Sequence, residues 1–301
     1  MPRFFAIING YDMKMTQAII ILFIITFSIL FTEQAYTQTV TVSNADAYAQ
    51  AIYVTNADAY AQAVSVINAD GHPQTIPIAK PDDYTQVALV DTGYLATVKE
   101  QLRKVWPNNR TVNIVFHGHS VPAGYWHDHE VHTLESYPYL FLKQLKAIYP
   151  YAPVNIIITA IGGENAVKGQ LRFDSTVLNH RPDVLIIDYA LNDRSAGLEK
   201  SRIAWEKMVA AALKQNIKVI LLTPSPDQRN DILAKDNDLE KHAKQIKDIA
   251  AKLHVAVADP FTVFQQIQRD GKNLKDYMSH VNHPNEAGHM IIATELMKWF
   301  K

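Results

Sequence analysis

From about Tyr84 to the C-terminus, short runs of consecutive apolar, β-branched residues alternate with longer stretches in which apolar positions recur at helical spacing. The first pattern suits strands buried on both faces, the second helices with one apolar stripe. The runs predict strands at Val112–Phe116, Val154–Thr159, Val184–Tyr189, Lys218–Leu222 and Val255–Ala258. The stretches predict helices over about Leu134–Ile148, Asn165–Leu178, Leu198–Gln215 and Leu239–Leu253, with a last one near Glu286–Trp299. Strands alternating with helices predict an α/β domain, here a three-layer αβα sandwich with a five-stranded parallel sheet over residues 84–301.

Upstream the pattern changes twice. Ala18–Phe31 is an unbroken apolar run of 14 residues, preceded by Lys14 and followed by Thr32-Glu33-Gln34. A membrane-spanning helix needs about 20 apolar residues, so residues 1–39 read as a signal peptide, with an uncleaved N-terminal anchor as the competing reading. Met13-Lys14-Met15 is the more conventional start for such a signal. Residues 40–83 then carry a repeat of twelve: Val42–Gln50 recurs as Val54–Gln62 and decays through Val66–Gln74, with Asp46, Asp58, Asp70 and Asp82 in step. Twelve residues are too few for a core-burying solenoid unit, and Ala/Asp/Asn/Gln-rich text offers little to offset ordering entropy. A disordered spacer is expected, against a small stacked or ligand-binding module.

Composition narrows the chemistry. With 29 Lys+Arg against 30 Asp+Glu, the 301-residue chain has no basic field to collect nucleic acid phosphates. It has no cysteine, which removes disulfides, thiolate nucleophiles, Cys-ligated zinc and a lipid-bearing lipobox.

In sheets of this class ligands sit outside the carboxyl ends of the strands, so the loops there are where chemistry belongs. They read His117-Gly-His-Ser-Val-Pro-Ala-Gly124, Ala160-Ile-Gly-Gly-Glu-Asn165, Ala190-Leu-Asn-Asp-Arg194 and, before the last helix, His280-Val-Asn-His-Pro-Asn285. Ser120 with His283 forms a possible nucleophile and base. The backbone N–H groups of Ser120 and Gly163, with the side-chain amide of Asn192, can receive the negative charge of a tetrahedral intermediate. Gly163 is expected to matter because no Cβ blocks close approach. Each block alone also reads as a cap or turn, with Ser120 as a helix N-cap.

These residues, in this order, resemble the SGNH (GDSL-type) hydrolase superfamily, over about Thr111 to Lys301. The family's Gly-Asp-Ser is Gly118-His119-Ser120 here, its Gly-x-Asn-Asp is Ala190-Leu191-Asn192-Asp193, and its Asp-x-x-His-Pro-Asn is His280-Val281-Asn282-His283-Pro284-Asn285. The resemblance implies a flavodoxin-like fold and a serine esterase with Ser120, Gly163, Asn192 and His283 as catalytic residues, needing no cofactor and no metal. With His280 in place of the family's Asp, the group orienting His283 stays open between a backbone carbonyl near His280, His280 itself and Asp276; a Ser-His dyad is the favoured reading.

Tyr125–His132 holds three histidines and two carboxylates. Its His127, His129 and His132 match no helical metal-ligand spacing, so a polar loop lining the cleft is expected. Tyr125 and Trp126 suit stacking on a sugar ring. The expected protein is an exported esterase, secreted or periplasmic, cleaving small acyl esters, including acetyl groups on carbohydrates. Its partners are a small acyl ester or acylated carbohydrate, no nucleic acid, and a membrane only if the N-terminal segment is retained. The alternative is a catalytically impaired carbohydrate-binding or surface protein on the same fold.

Overall fold

The structure is a computed structural model and describes residues 63–67, 73–77 and 93–301. The apolar run at 18–31 and most of the repeats lie outside the described residues. Among the described residues no helix is long and apolar enough to cross a membrane.

The chain divides into two compact units, residues 1–87 and 88–301. In the first, β1 (Ala63–Ile67) pairs antiparallel with β2 (Pro73–Pro77), Ser65 opposite Thr75. The strands enter the third, decayed repeat from both sides and carry Val64, Val66, Ile67, Thr75 and Ile76, β-branched residues that suit a strand. These ten residues lie inside the segment expected to be a spacer.

The second unit is built on five parallel strands, β3 (Val112–Gly118), β4 (Val154–Ile158), β5 (Val184–Asp188), β6 (Lys218–Leu222) and β7 (Ala256–Ala258), in the order β4-β3-β5-β6-β7. Side chains alternate across a strand. Accordingly Val112, Ile114, Phe116, Val184, Ile186, Ile220 and Leu222 join one core, and Val115, Leu185, Ile187, Val219 and Leu221 join the other.

The first core is closed by α1 (Ala96–Arg103), α3 (Tyr137–Ile148), α9 (Pro260–Arg269) and α10 (Glu286–Met297). The second is closed by α4 (Ala166–Leu171), α5 (Phe173–Thr176), α7 (Leu198–Leu213) and most of α8 (Asp238–Leu253). The three-layer sandwich is therefore as expected. Helices α1 and α9 are additions to the expected set, and the stretch Asn165–Leu178 breaks at Arg172, whose side chain turns back to Glu164. Helix starts follow local chemistry: Asn237 caps α8, Asp259 caps α9 ahead of Pro260, and Asn285 caps α10.

After β3 the chain steps outward to β4, then returns to the other side of β3 to form β5. The switch point between β3 and β5 leaves a crevice at their carboxyl ends.

Candidate active site

At the end of β3 the chain turns directly into α2 (Ser120–Ala123). Gly118 lies against β5 so closely that a Cβ there would overlap the Asp188 carbonyl oxygen and come within 2.8 Å of Pro122 Cγ. The cap of α2 is His119, whose Nδ1 accepts the Val121 N–H at 3.2 Å. Ser120 is thus the first residue of the helix rather than its N-cap, and its hydroxyl is free for another partner. That partner is His283: Ser120 Oγ and His283 Nε2 are 2.8 Å apart, across 163 residues of chain.

The loop after β4 lies alongside, held by the Ile161 N–H on the Gly118 carbonyl at 3.0 Å. Gly163 has φ +74°, in the region that favours glycine, and a Cβ there would meet nothing within 4 Å. The glycine is required for backbone conformation, not for room. Asn192 comes from α6 (Ala190–Asp193) at the end of β5 and donates one amide hydrogen to the Glu164 carbonyl at 2.9 Å. Its second amide hydrogen and the backbone N–H groups of Ser120 and Gly163 donate to nothing else among the described residues. Unspent donors at the ends of three strands are what a developing oxyanion needs.

Behind this front the supports are buried and mostly charged. His119 accepts through Nδ1, so its proton sits on Nε2, 3.3 Å from Asp188 Oδ1; the approach permits charge attraction, though its angle falls short of a hydrogen bond. Asp188 also accepts the Tyr137 hydroxyl at 3.1 Å. The carboxylate missing from the position before the nucleophile is in effect supplied from β5, against the histidine that stands there. Asp193 accepts the Ala166 N–H at 2.7 Å and the Trp205 indole N–H at 2.6 Å, and burial still raises its pKa to about 6. Glu164 takes hydrogen bonds from Arg172 and Tyr189, which outweigh its burial and lower its pKa. Tyr189 also meets His117 Nε2 at 3.1 Å. Sequence reasoning missed these supports. One visible signal was Asp188 closing the apolar run Val184-Leu-Ile-Ile.

Among the described residues no carboxylate orients His283. Its Nδ1 is buried without a hydrogen-bond partner among the described residues. The His280 carbonyl accepts Gln228 Nε2 at 3.2 Å, the His280 ring stands 5.9 Å from that of His283, and the Asp276 carbonyl accepts Asn285 Nδ2 at 2.9 Å, its carboxylate making no hydrogen bond or ion pair among the described residues. Burial, then the neighbouring His119 and His280, lower the His283 pKa to about 4. The imidazole is therefore neutral at pH 7, as a base must be, and its protonated form lacks a counter-charge.

The Tyr125–His132 segment folds back through the Tyr125–Val131 bridge, with Trp126 stacked on His132 at 3.9 Å. It gathers Asp128 and Glu130, not His127 and His129, around His132. One face of Trp126 is consequently covered, while the Tyr125 ring lies against Gly162 in the loop after β4. A cleft of about 580 Å³ opens next to the unspent donors, lined by Gly163, Leu191, Asn192, Arg194, Ser195, Arg229 and Asn230.

Comparison with known proteins is consistent with this geometry. The GDSL-like Lipase/Acylhydrolase family matches residues 116–291, more than half of the chain. An acetylxylan esterase of Geobacillus stearothermophilus is 20% identical over 166 residues, 51% of this chain and 75% of that one. Among solved structures, a two-domain esterase active on acetylated mannans has TM-score 0.57 and 20% identity, over 69% of this chain and 52% of that one. The chain thus spans about half the length of that two-domain relative. An acetylxylan esterase structure from Geobacillus stearothermophilus has TM-score 0.55 and 18% identity, over 63% of this chain and 94% of that one. At these identities the structural likeness shows the fold.

Proposed function

Since the chain belongs to the GDSL-like lipase/acylhydrolase family, and is a carboxylic ester hydrolase by that membership, we propose that it is an exported esterase removing small acyl groups, acetyl first among them, from carbohydrates. Ser120 Oγ attacks the ester carbonyl and gives its proton to His283 Nε2. Negative charge on the former carbonyl oxygen is received by the N–H groups of Ser120 and Gly163 and by the Asn192 amide. As the intermediate collapses, His283 returns the proton to the leaving sugar oxygen, leaving the acyl group on Ser120. A water molecule, deprotonated by His283, attacks that acyl-enzyme and releases the acid, and the proton goes back to Ser120. The observation that carries this reading is the 2.8 Å Ser120 Oγ–His283 Nε2 contact beside three unspent donors. The carbohydrate substrate is supported by the acetylated xylan and mannan named for the similar proteins. Export is supported by the 14-residue apolar run, cleaved as a signal or retained as an anchor.

One observation favours a second reading, a catalytically impaired carbohydrate-binding protein: His283 Nδ1 has no acceptor. Hydrolysis of p-nitrophenyl acetate separates the two. The esterase reading expects turnover that Ser120→Ala abolishes and a fluorophosphonate label confined to Ser120. Turnover that survives Ser120→Ala, or no turnover in the natural chain, overturns it.

A further inference from the structure

The cleft beside the oxyanion donors is not electrically neutral. Arg194 reaches into it from the end of α6, and Arg229 from the loop after β6, and both pair with one carboxylate, Asp227. Asp227 is fully buried; its burial is outweighed by the hydrogen bonds from Arg229 and Arg194, so it is ionised at any working pH. Two guanidinium groups on one carboxylate leave one positive charge in excess. Arg194 spends Nε on the Leu191 carbonyl and Nη2 on Asp227, and Arg229 spends Nε and Nη2 on Asp227, so Nη1 of each remains unspent. The other carboxylates of this loop, Asp231 and Asp236, are exposed and do not line the cleft, and Asp231 accepts the Leu233 N–H. Gln228 fastens the same loop to the segment carrying His283, with its N–H on the Val281 carbonyl at 2.7 Å. The excess charge therefore lies between the oxyanion donors and the loop that abuts the base.

We propose that Arg194 and Arg229 form a subsite for a carboxylate on the sugar that carries the ester, so that the substrate class is an acetylated acidic glycan, with uronate units near the acetyl group. The inference rests on the esterase reading above. An acetyl group holds no charge of its own, so a carboxylate reaching these arginines belongs to the alcohol side. Guanidinium groups suit that partner because their planar, paired donors match the two oxygens of a carboxylate.

The test compares kcat/KM on acetylated oligogalacturonides with that on acetylated xylo-oligosaccharides of the same length, at low salt and at higher salt. At a partly exposed site the acidic substrate should be preferred by roughly fivefold or more, and salt should erode the preference. Arg229→Gln should bring the ratio close to one, and Arg229→Lys, which keeps the charge, should retain part of it. Equal rates on both substrates, a preference for the neutral one, or a preference that Arg229→Gln leaves intact would overturn the subsite. A preference seen only for a succinyl ester of a neutral sugar would place the charge on the acyl side and overturn it too. Failure to hydrolyse any acetyl ester would instead remove the esterase reading on which the subsite rests.

Discussion

Lowering the pH tests the central feature of the proposed mechanism, a histidine base with no carboxylate partner among the described residues. In that mechanism His283 acts only when neutral, so kcat/KM should follow its unprotonated fraction and fall as the pH drops through its pKa. Burial and two histidine neighbours place that pKa at about 4. At pH 5.5 such a group is about 97% neutral, whereas a histidine at the ordinary value of about 6.5 is only about 9% neutral. The difference in rate at pH 5.5, relative to the plateau, is thus about tenfold. Initial rates on p-nitrophenyl acetate between pH 4 and 8, with aliquots returned to pH 7 to confirm that no enzyme was lost, measure the limb directly. Half-maximal kcat/KM should lie well below pH 5.5, and His280→Ala, which removes one of the two histidine neighbours that lower it, should move it upward. A limb at pH 6 to 7 that is unchanged in His280→Ala would show that His283 is paired with an acid in solution and that its isolation is not real.

Asn192→Ala should lower kcat by roughly 10²–10³ with a smaller change in KM, because its unspent hydrogen is used when charge develops; a pure KM effect would make it a binding residue. Asp276→Asn should cost less than about tenfold, since its carboxylate makes no hydrogen bond or ion pair among the described residues, whereas a loss near the roughly 10⁴ of a true triad acid would restore it as the third member. Gly118→Ala forces a methyl onto the Asp188 carbonyl and should lower Tm by roughly 3–10 °C, checked by thermal scanning; an unchanged Tm would mean that β3 and β5 can part there. Acid should also destabilise the fold. His117, His242 and His283, at about 4, and His289, at about 3, stay neutral in the folded chain but take protons at about 6.5 once unfolded, so the stability they confer is complete above 6.5 and is lost as pH falls toward 4. Asp193, raised to about 6, opposes one of the four, leaving roughly three protons and at most about 4 kcal/mol per pH unit between pH 6 and 4 in urea titrations; a flat profile would contradict their burial.

What the sequence determined by itself was the set of strands and the edge on which the chemistry collects. Five apolar runs separated by helices can form only a parallel arrangement economically, and parallel strands put every following loop at the same end of the sheet. Ser120, Gly163, Asn192 and His283 could therefore be placed together without coordinates. The helix α9 was also legible in principle, in the Asp259-Pro260 cap. Tertiary structure alone decided the rest, because it depends on pairs far apart in the chain and on angles that no local pattern carries. The reason for Gly163, a positive φ in open space, is such an angle. The pairing of His119 with Asp188 follows from the adjacency of β3 and β5, which spacing along the chain does not specify. Nor could spacing show that His283 Nδ1 finds no hydrogen-bond partner among the described residues, or that Arg194 and Arg229 share Asp227. Local propensity and period choose elements; strand order and loop packing choose which charges meet.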